Sequence, residues 1–417
     1  MGLINEKTTV LELLDEFPET LPLFRFYGFS AETREKLLES VGKKSSLKIV
    51  LTAKKINNKI FIDFLNEALE RYDGCRNYND KREERYLDFL GYFPCTSKQY
   101  FKDAIGNLLL DYKKATGISL KCDIPIGCET NDKYSNIWVK KNIKDFPDMI
   151  ISMGYGDFFR KKFIDKFIKS GLFKSVLPLD INPDFVKSGL IDPACCYTIY
   201  MVQPYIFLID KLKLAKLPMP HSWKDLLSPI YENNINIEGH GDKISEAFLL
   251  HYLIDYGEEA IKRFAFNTKN IWHGIDIIKH IGTNSYDSAA INVMPHFLVS
   301  EFQKKDFIDI IFPDDGVVAD SYFMLVKKKA EERVRPIIDY LFSESTSEYL
   351  VKQNFSIISG NIRNPFYDGK IIKWQGWDYV RSNDILKIKN RVEKYFISMW
   401  QQKVLSGYGK VDYFKAI

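Results

Sequence analysis

The chain has 417 residues, of which 46% are hydrophobic and 27% are charged. These values are ordinary for globular proteins, so they exclude a disordered or fibrous chain. The 59 Lys and Arg residues nearly balance the 55 Asp and Glu residues, giving a net charge of +4. This small excess does not indicate a nucleic-acid-binding protein. At about 100–200 residues per domain, the length predicts two or three domains.

The sequence shows no obvious targeting or membrane segment. Its first residues do not combine a basic stretch with a long apolar run, and no run approaches the ~18 apolar residues of a membrane-spanning helix. We therefore expect a cytoplasmic protein without a transmembrane segment. An extracytoplasmic location would require that an export signal had been removed from the sequence.

Residues 1–70 are predicted to form a small helical domain. Thr9 and Glu12 have the spacing of a capping box, and Val10, Leu13 and Leu14 form an apolar stripe at helical spacing. Residues 71–85 (RYDGCRNYNDKREER) are polar and charged, so they are predicted to be a linker.

After the linker, predicted strands alternate with predicted helices, which indicates an α/β fold with a parallel or mixed sheet. The longest predicted helices are residues 98–115, residues 330–353 with a break near Pro336, and a C-terminal helix over 386–400. The predicted strands cover residues 86–93, 118–124, 149–153, 198–210, 234–238, 289–294, 307–312 and 321–326.

Four segments carry a resemblance to a known family. They are residues 220–229 (PHSWKDLLSP), 312–316 (FPDDG), 319–327 (ADSYFMLVK) and 337–343 (IIDYLFS). In order and spacing they resemble the type 2 periplasmic-binding-protein fold of ABC transporter solute-binding proteins, especially the ferric-iron-binding branch. The resemblance implies a two-lobed domain over 86–385, with its second lobe at roughly 205–295 and a C-terminal helix and tail at 386–417. It also implies that the lobes close by a hinge on a ligand in the cleft between them.

Residues 9–18 (TVLELLDEFP) and 26–29 (FYGF) resemble the small helical domain found beside hybrid-cluster proteins and at the start of iron–sulfur-cluster repair proteins. That family usually places cysteines directly after the glycine, whereas residues 29–33 (FSAET) contain none. The resemblance therefore favours a docking role for this domain over a redox role.

Candidate ligand-binding residues follow the predicted strands or mark the strand crossovers that the resemblance implies. The free N–H groups at a helix start favour an anion or a carbonyl oxygen, and glycines permit a close approach of the backbone. A histidine between two glycines could donate to an anion or bind a metal. The candidates are Cys95, Thr96, Ser97, Gly154, Tyr155, His240, Gly241, Asn292, His296, Asp320 and Ser321.

Structural interpretations of these residues remain open. Thr96 or Ser97 could simply cap the following helix, with Thr96 and Gln99 at capping-box spacing, and Asp242 could cap the helix predicted after residue 241. The ferric-binding branch carries adjacent tyrosines in the region where this chain has Met294, Pro295 and His296. That departure argues against a ferric site of the usual design, so the metal ligands are left undetermined.

We expect a solute-binding protein of the ABC-transporter type that captures a small anionic ligand or a metal chelate. The expected partners are that ligand and an ABC permease or a docking partner for the helical domain, with no nucleic acid. No cofactor and no catalytic residue is predicted, because no common catalytic motif is present. The alternatives are a cytosolic metabolite or metal sensor, or a cofactor-making enzyme that uses Cys195, Cys196 or His240.

Overall fold

The structure is a computed structural model that describes residues 4–17, 20, 21, 24, 29, 30, 33–54, 56, 58, 61, 62, 65, 87–94, 96–125, 134, 137–154, 158–240, 243–299 and 306–403. The chain divides into two compact units. The N-terminal unit comprises Met1–Arg85 with Ile126–Asp132, and the larger unit comprises Tyr86–Pro125 with Lys133–Ile417.

The N-terminal unit is helical. Its described helices are α1 (Val10–Glu16), α2 (Arg34–Val41) and α3 (Leu47–Ala53). Their apolar faces form one buried cluster, which includes Val10 and Leu13 of α1, Leu37 of α2 and Leu51 of α3. The predicted linker, residues 71–85, and most of the segment 26–29 lie outside the described residues.

The predicted capping box at the start of α1 is confirmed. The Glu12 N–H donates to Thr9 Oγ1 at 3.2 Å, and the Thr9 N–H donates to the Glu12 carboxylate at 2.9 Å. Each side chain thus satisfies a backbone N–H group that has no partner within the helix.

We expect Thr9→Ala to destabilise the N-terminal unit by about 1 kcal/mol, because the first turn of α1 loses its cap. Hydrogen exchange of residues 10–16 in the intact protein measures this effect. Thr52→Ala, near the end of α3, serves as the control. Equal protection of α1 in the wild type and the Thr9 variant would contradict the prediction.

The larger unit is built from strands and helices in alternation. Its strands are β1 (Phe89–Gly91), β2 (Cys122–Asp123), β3 (Met149–Met153), β4 (Phe173–Lys174), β5 (Thr198–Asp210), β6 (Ile235–His240), β7 (Lys243–Ile244), β8 (Thr268–Trp272), β9 (Ile291–Pro295), β10 (Ile308–Ile311), β11 (Val317–Lys327), β12 (Ser356–Ile357) and β13 (Ile372–Lys373). Its helices are α4 (Lys98–Thr116), α5 (Lys161–Phe163, continued as a π-helix over Ile164–Ile168), α6 (Pro183–Lys187), α7 (Lys211–Leu214), α8 (Glu246–Tyr256), α9 (Glu258–Asn267), α10 (Gly274–His280), α11 (Glu331–Leu341), α12 (Glu344–Lys352), α13 (Trp377–Ser382) and α14 (Ile385–Lys403).

The sheet runs in the order β2-β1-β3-β11-β5-β9-β6, and β8 pairs with β6. Strands β5 and β11 are long, antiparallel to each other and shared by both halves of the sheet. The first half of β5 lies with β11, β3 and β1 in lobe 1, and its second half lies with β9, β6 and β8 in lobe 2. The predicted two-lobed α/β fold is therefore confirmed.

Each lobe has its own hydrophobic core. Phe89, Ile150 and Phe323 lie in the core of lobe 1, and Phe207 and Trp223 lie in that of lobe 2. The indole N–H of the fully buried Trp223 donates to the carbonyl of Gly316 at 3.1 Å. This bond connects the segment 220–229, which carries part of the family resemblance, to the start of β11.

Several predicted elements differ from the structure. The strand over 86–93 is shortened to β1, and the strand over 321–326 starts earlier, as β11. The predicted strand over 118–124 is reduced to β2, because the Asp88 side chain accepts the Lys121 N–H at 2.7 Å in place of a neighbouring strand. Pro336 lies inside α11 and does not interrupt it. The break comes at Ser343, whose Oγ accepts the N–H of Thr346 and so caps α12.

Three buried charged residues, Asp88, Asp148 and Lys327, form a network with the exposed Arg333 where β1 and β3 begin and β11 ends. Lys327 Nζ is 3.2 Å from Asp148 Oδ1 and donates to the carbonyl of Phe146 at 2.6 Å. The guanidinium of Arg333 bonds Asp88, whose other carboxylate oxygen accepts the Lys121 N–H. Each of the three buried side chains has a charged partner, which is consistent with its burial.

Candidate ligand-binding site

The candidate site lies where β5 and β11 pass from one lobe to the other. The parallel strands β1 and β3 of lobe 1 and the parallel strands β6 and β9 of lobe 2 have their carboxyl ends near this crossing. Ligands of open α/β sheets bind at such carboxyl edges. At the crossing itself, Asp320 of β11 pairs with Gln203 of β5.

Asp320 is held in place by two hydroxyl donors from lobe 2. Its Oδ2 accepts a hydrogen bond from Tyr205 Oη at 2.8 Å, and its Oδ1 accepts one from Ser245 Oγ at 3.0 Å. Ser245 is also the N-cap of α8, because its Oγ accepts the Ala247 N–H. Two hydroxyl donors aimed at one carboxylate fix its orientation at the crossing.

A second carboxyl group lies close to Asp320. Burial and, to a smaller extent, the charge of Asp320 together raise the pKa of Glu238 in β6 to about 7. Burial, then Asp320 and Glu238, also raise the pKa of the Tyr205 hydroxyl. We name Glu238 and Asp320 the acidic pair. Two carboxyl groups that share a buried site bind a proton or a cation more readily than an isolated carboxyl group does.

On the lobe 1 side, the end of β3 approaches β11. Gly154 has a φ of 76° and donates its N–H to the carbonyl of Ser321 at 2.9 Å. A positive φ favours glycine, so this turn depends on Gly154. Beside it, Tyr322 Oη donates to Gln203 Oε1 at 3.3 Å. The structure thus brings together three predicted site residues: Gly154, Asp320 and Ser321. The predicted Tyr155 lies outside the described residues.

The predicted site residues at the start of α4 differ in their burial. Ser97 is fully buried as the N-cap, whereas Thr96 is exposed and Cys95 lies outside the described residues. The capping box predicted for Thr96 and Gln99 is not formed, because the Gln99 amide donates to Asp103 at 2.9 Å instead.

The prediction that a helix starts directly after residue 241 is wrong. Strand β6 continues through Gly239 and His240, which pair with Ile244 and Lys243 of β7. Helix α8 starts later and is capped by Ser245 instead of Asp242. The backbone of His240 lies at the end of β6, and the predicted Gly241 lies outside the described residues.

Asn292 and His296 make contacts within the protein. Asn292 Nδ2 donates to the carbonyl of Leu208, and its Oδ1 accepts from Asn236, whose own Oδ1 accepts from Asn270. These amides form a buried chain across β9, β6 and β8. His296 is 3% exposed, and its Nδ1 lies 2.6 Å from Tyr367 Oη.

Sequence reasoning missed Glu238, Tyr205 and Ser245. A signal for Glu238 was present, because Ile235 and Ile237 face a lobe 2 core and the alternating positions of β6 are polar. Tyr205 and Ser245 could not be found in this way, since their proximity to Asp320 depends on the strand register and on where α8 starts.

Within the described parts of the chain, no three His, Cys, Asp or Glu side chains lie close enough to hold a metal ion. The acidic pair could therefore supply only part of a coordination shell. Among the same residues, no helix combines the length and apolar character needed to cross a membrane.

Comparisons with known proteins identify the family. The model of the bacterial extracellular solute-binding protein family matches residues 144–383, more than half of the chain. No curated protein matches the sequence.

Solved structures share the fold at low sequence identity. The apo ferric ion-binding protein A of Pasteurella haemolytica has a TM-score of 0.52 at 11% identity, over 76% of this chain and 98% of that protein. The Trichodesmium protein IdiA (FutA), in complex with iron and citrate, has a TM-score of 0.51 at 14% identity, over 76% and 99%. A Bordetella ferric binding protein has a TM-score of 0.50 at 13% identity, over 75% and 98%.

The matched family corrects one prediction. Its members are extracellular proteins, so the expected cytoplasmic location is wrong and an extracytoplasmic location replaces it. The family also implies a small-molecule ligand and an ABC permease as partners, in agreement with the sequence analysis. The chain belongs to the family of bacterial extracellular solute-binding proteins.

Proposed function

We propose that this solute-binding protein captures a metal chelate whose metal ion faces the acidic pair. The observation that carries the proposal is the buried Asp320, held by Tyr205 and Ser245, with the carboxyl group of Glu238 nearby. Two neighbouring carboxyl groups attract a positive centre and repel an isolated anion. Of the two ligand classes left open by the sequence, the pair therefore favours the chelate over a small anion.

The chelator would supply the metal ligands that the protein lacks. The described residues offer fewer than three clustered metal-ligating side chains, and a hard cation usually takes more oxygen ligands than two. An organic chelator can fill the remaining positions. The similar Trichodesmium structure, which contains iron and citrate, supports this proposal.

Calorimetric titration of dialysed protein with ferric citrate tests the proposal, with citrate alone, inorganic phosphate and putrescine as comparison ligands. We expect ferric citrate to bind, and Asp320→Asn to weaken that binding by at least about tenfold, because a charge-assisted contact is lost. Asp309→Asn, on β10 of lobe 2, is the control variant and should bind as the wild type does.

Other outcomes contradict the proposal in different ways. Binding of phosphate or citrate alone, unaffected by Asp320→Asn, would show that the cleft selects an anion. Binding of putrescine without ferric citrate would show that the acidic pair takes an amine. Equal affinity of the wild type and the Asp320 variant for ferric citrate would place the chelate elsewhere.

We also propose that the N-terminal unit docks a protein partner and makes no contact with the ligand. The amphipathic helices α1 to α3 and the resemblance of residues 9–18 to a small helical domain support this role. A variant that lacks residues 1–70 should then bind ferric citrate with unchanged affinity. A large loss of affinity would contradict the docking role.

A further inference from the structure

Residues 359–373, here called the strap, run from β12 to β13 and are anchored on lobe 1. Arg363 bonds the carboxylate of Asp184 in α6 at 2.8 Å, and the N–H of Gly369 donates to the same carboxylate at 3.1 Å. Further along, the N–H of Ile372 donates to Ser188 Oγ at 2.8 Å. Because Tyr367 and Ile372 also belong to the lobe 1 core, the strap is an integral part of that lobe.

The middle of the strap also contacts lobe 2. The hydroxyl of Tyr367 shares a hydrogen bond of 2.6 Å with Nδ1 of His296, which directly follows β9. The ring of Phe366 stacks on that of Phe312, which directly follows β10, with a centroid separation of 5.0 Å and an angle of 11°. These two contacts form a junction between the lobes beside the crossing strands. They do not involve the acidic pair.

His296 is the titratable centre of this junction. Its ring is 3% exposed and lies 5.1 Å from the centroids of Phe312 and Phe366 and 5.7 Å from that of Tyr367. Of these three neighbours, only Tyr367 is titratable, and burial holds the pKa of its hydroxyl well above the usual value, so it stays neutral. Burial alone lowers the pKa of His296 to about 4.

We propose that this junction is acid-sensitive, and that protonation of His296 releases the middle of the strap, Phe366 and Tyr367, from lobe 2. Among the described residues, the ring neighbours of His296 are aromatic and burial is the cause of its lowered pKa, so an imidazolium here loses hydration without gaining a charged partner among them. Water provides that solvation when the ring leaves the junction. The strap then stays on lobe 1 through Arg363 and Ile372, while lobe 2 loses a contact that restrains its rotation about β5 and β11.

The direction of the pH effect follows from the pKa of His296 in the junction and in the released state. With a pKa of about 4 in the junction and about 6.5 when exposed, His296 binds its proton more readily in the released state. Acidification from pH 7.5 to pH 5 should therefore shift the equilibrium toward release by on the order of tenfold. The strap contact between Lys373 and Asp255, at 3.3 Å, does not depend on His296.

Hydrogen exchange of the ligand-free full chain, corrected for intrinsic rates, tests the proposal over a pH series. We expect peptides covering 363–369 to lose protection by about tenfold at pH 5, while β3 and β9 stay protected. His296→Gln keeps a hydrogen-bonding group that does not titrate in this range and should abolish the change. His221→Gln, at an exposed histidine, is the matched control and should behave as the wild type does.

NMR of histidine-labelled protein gives a second measurement, because the chain contains only six histidines. The signal that is missing in His296→Gln should titrate together with the loss of strap protection. The proposal is wrong if the variant releases the strap at the same pH as the wild type, or if β3 and β9 lose protection along with the strap. A His296 signal that titrates freely near pH 6.5 would also overturn it. None of these outcomes depends on the identity of the ligand.

Discussion

Asp148→Asn should lower the free energy of unfolding of the two-lobed unit by about 3 kcal/mol. The substitution leaves the ammonium of Lys327, whose side chain is 10% exposed, without its carboxylate at 3.2 Å. The carbonyl of Phe146 still accepts from Lys327, but a carbonyl does not neutralise the charge. Urea denaturation, followed by circular dichroism at pH 7, measures the effect as a lower midpoint.

Two further variants separate a buried-charge effect from a general loss of an ion pair. Asp165→Asn removes a carboxylate that contacts both Lys161 and Lys169 but is exposed, so it should change the midpoint little. Asp148→Asn combined with Lys327→Met removes both charges and should recover much of the lost stability. If Asp148→Asn and Asp165→Asn shift the midpoint equally, the buried network does not contribute as argued.

Two interior strands, β3 and β5, could be predicted from the sequence because nearly all of their residues are buried. The predicted range 149–153 matches β3, and the predicted range 198–210 matches β5, all of whose residues are buried. Such apolar runs are typical of the interior strands of α/β sheets. The short edge strand β2 could not be predicted in the same way, since its length depends on a side-chain bond from Asp88.

The candidate site was harder to predict, because its residues meet through pairing between distant strands. Asp320 was expected at a crossover, and the structure places it opposite Gln203 as β11 crosses β5. Its neighbour Ser245 lies 75 positions away in the sequence and is brought close by the start of α8. The helix start itself was misplaced, because the pairing of Gly239 with Ile244 extends β6 beyond the expected turn.

The contacts of Asn292 and His296 were also hard to predict, because they too join distant segments. Both follow or end a predicted strand, which is where ligand contacts are expected. The sequence could not show that the Asn292 amide would bond Asn236, or that Tyr367 would lie against His296, since each contact joins separate segments. Their roles in ligand binding stay predictions, and the structure describes their internal contacts.

The overall charge also did not indicate the local charge of the site. A net charge of +4 is a sum over the whole surface, whereas Glu238 and Asp320 concentrate negative charge at one crossing. A ligand bound as proposed would respond to that local field, because buried surroundings screen charges weakly.

Glu238→Gln should make the protein more stable than the wild type at alkaline pH. The pKa of Glu238 is raised from 4.5 to about 7 by burial and by Asp320, so the folded state binds its proton more tightly than the unfolded state. The resulting stabilisation is present in full below pH 4.5, declines as the pH rises, and is lost above about pH 7. Over that range the wild type loses at most about 3 kcal/mol relative to a group that does not titrate.

Urea midpoints at pH 5 and pH 8.5 measure this difference in the ligand-free protein. The glutamine keeps a polar group of nearly the same shape, so the two proteins should be similar at pH 5 and the variant should be more stable at pH 8.5. Glu348→Gln, at an exposed position of α12, is the control and should show no such trend. If the Glu238 variant and the wild type differ by the same amount at both pH values, Glu238 does not hold its proton more tightly in the folded state. The acidic pair would then carry two full charges at neutral pH, and a metal chelate would bind without displacing a proton.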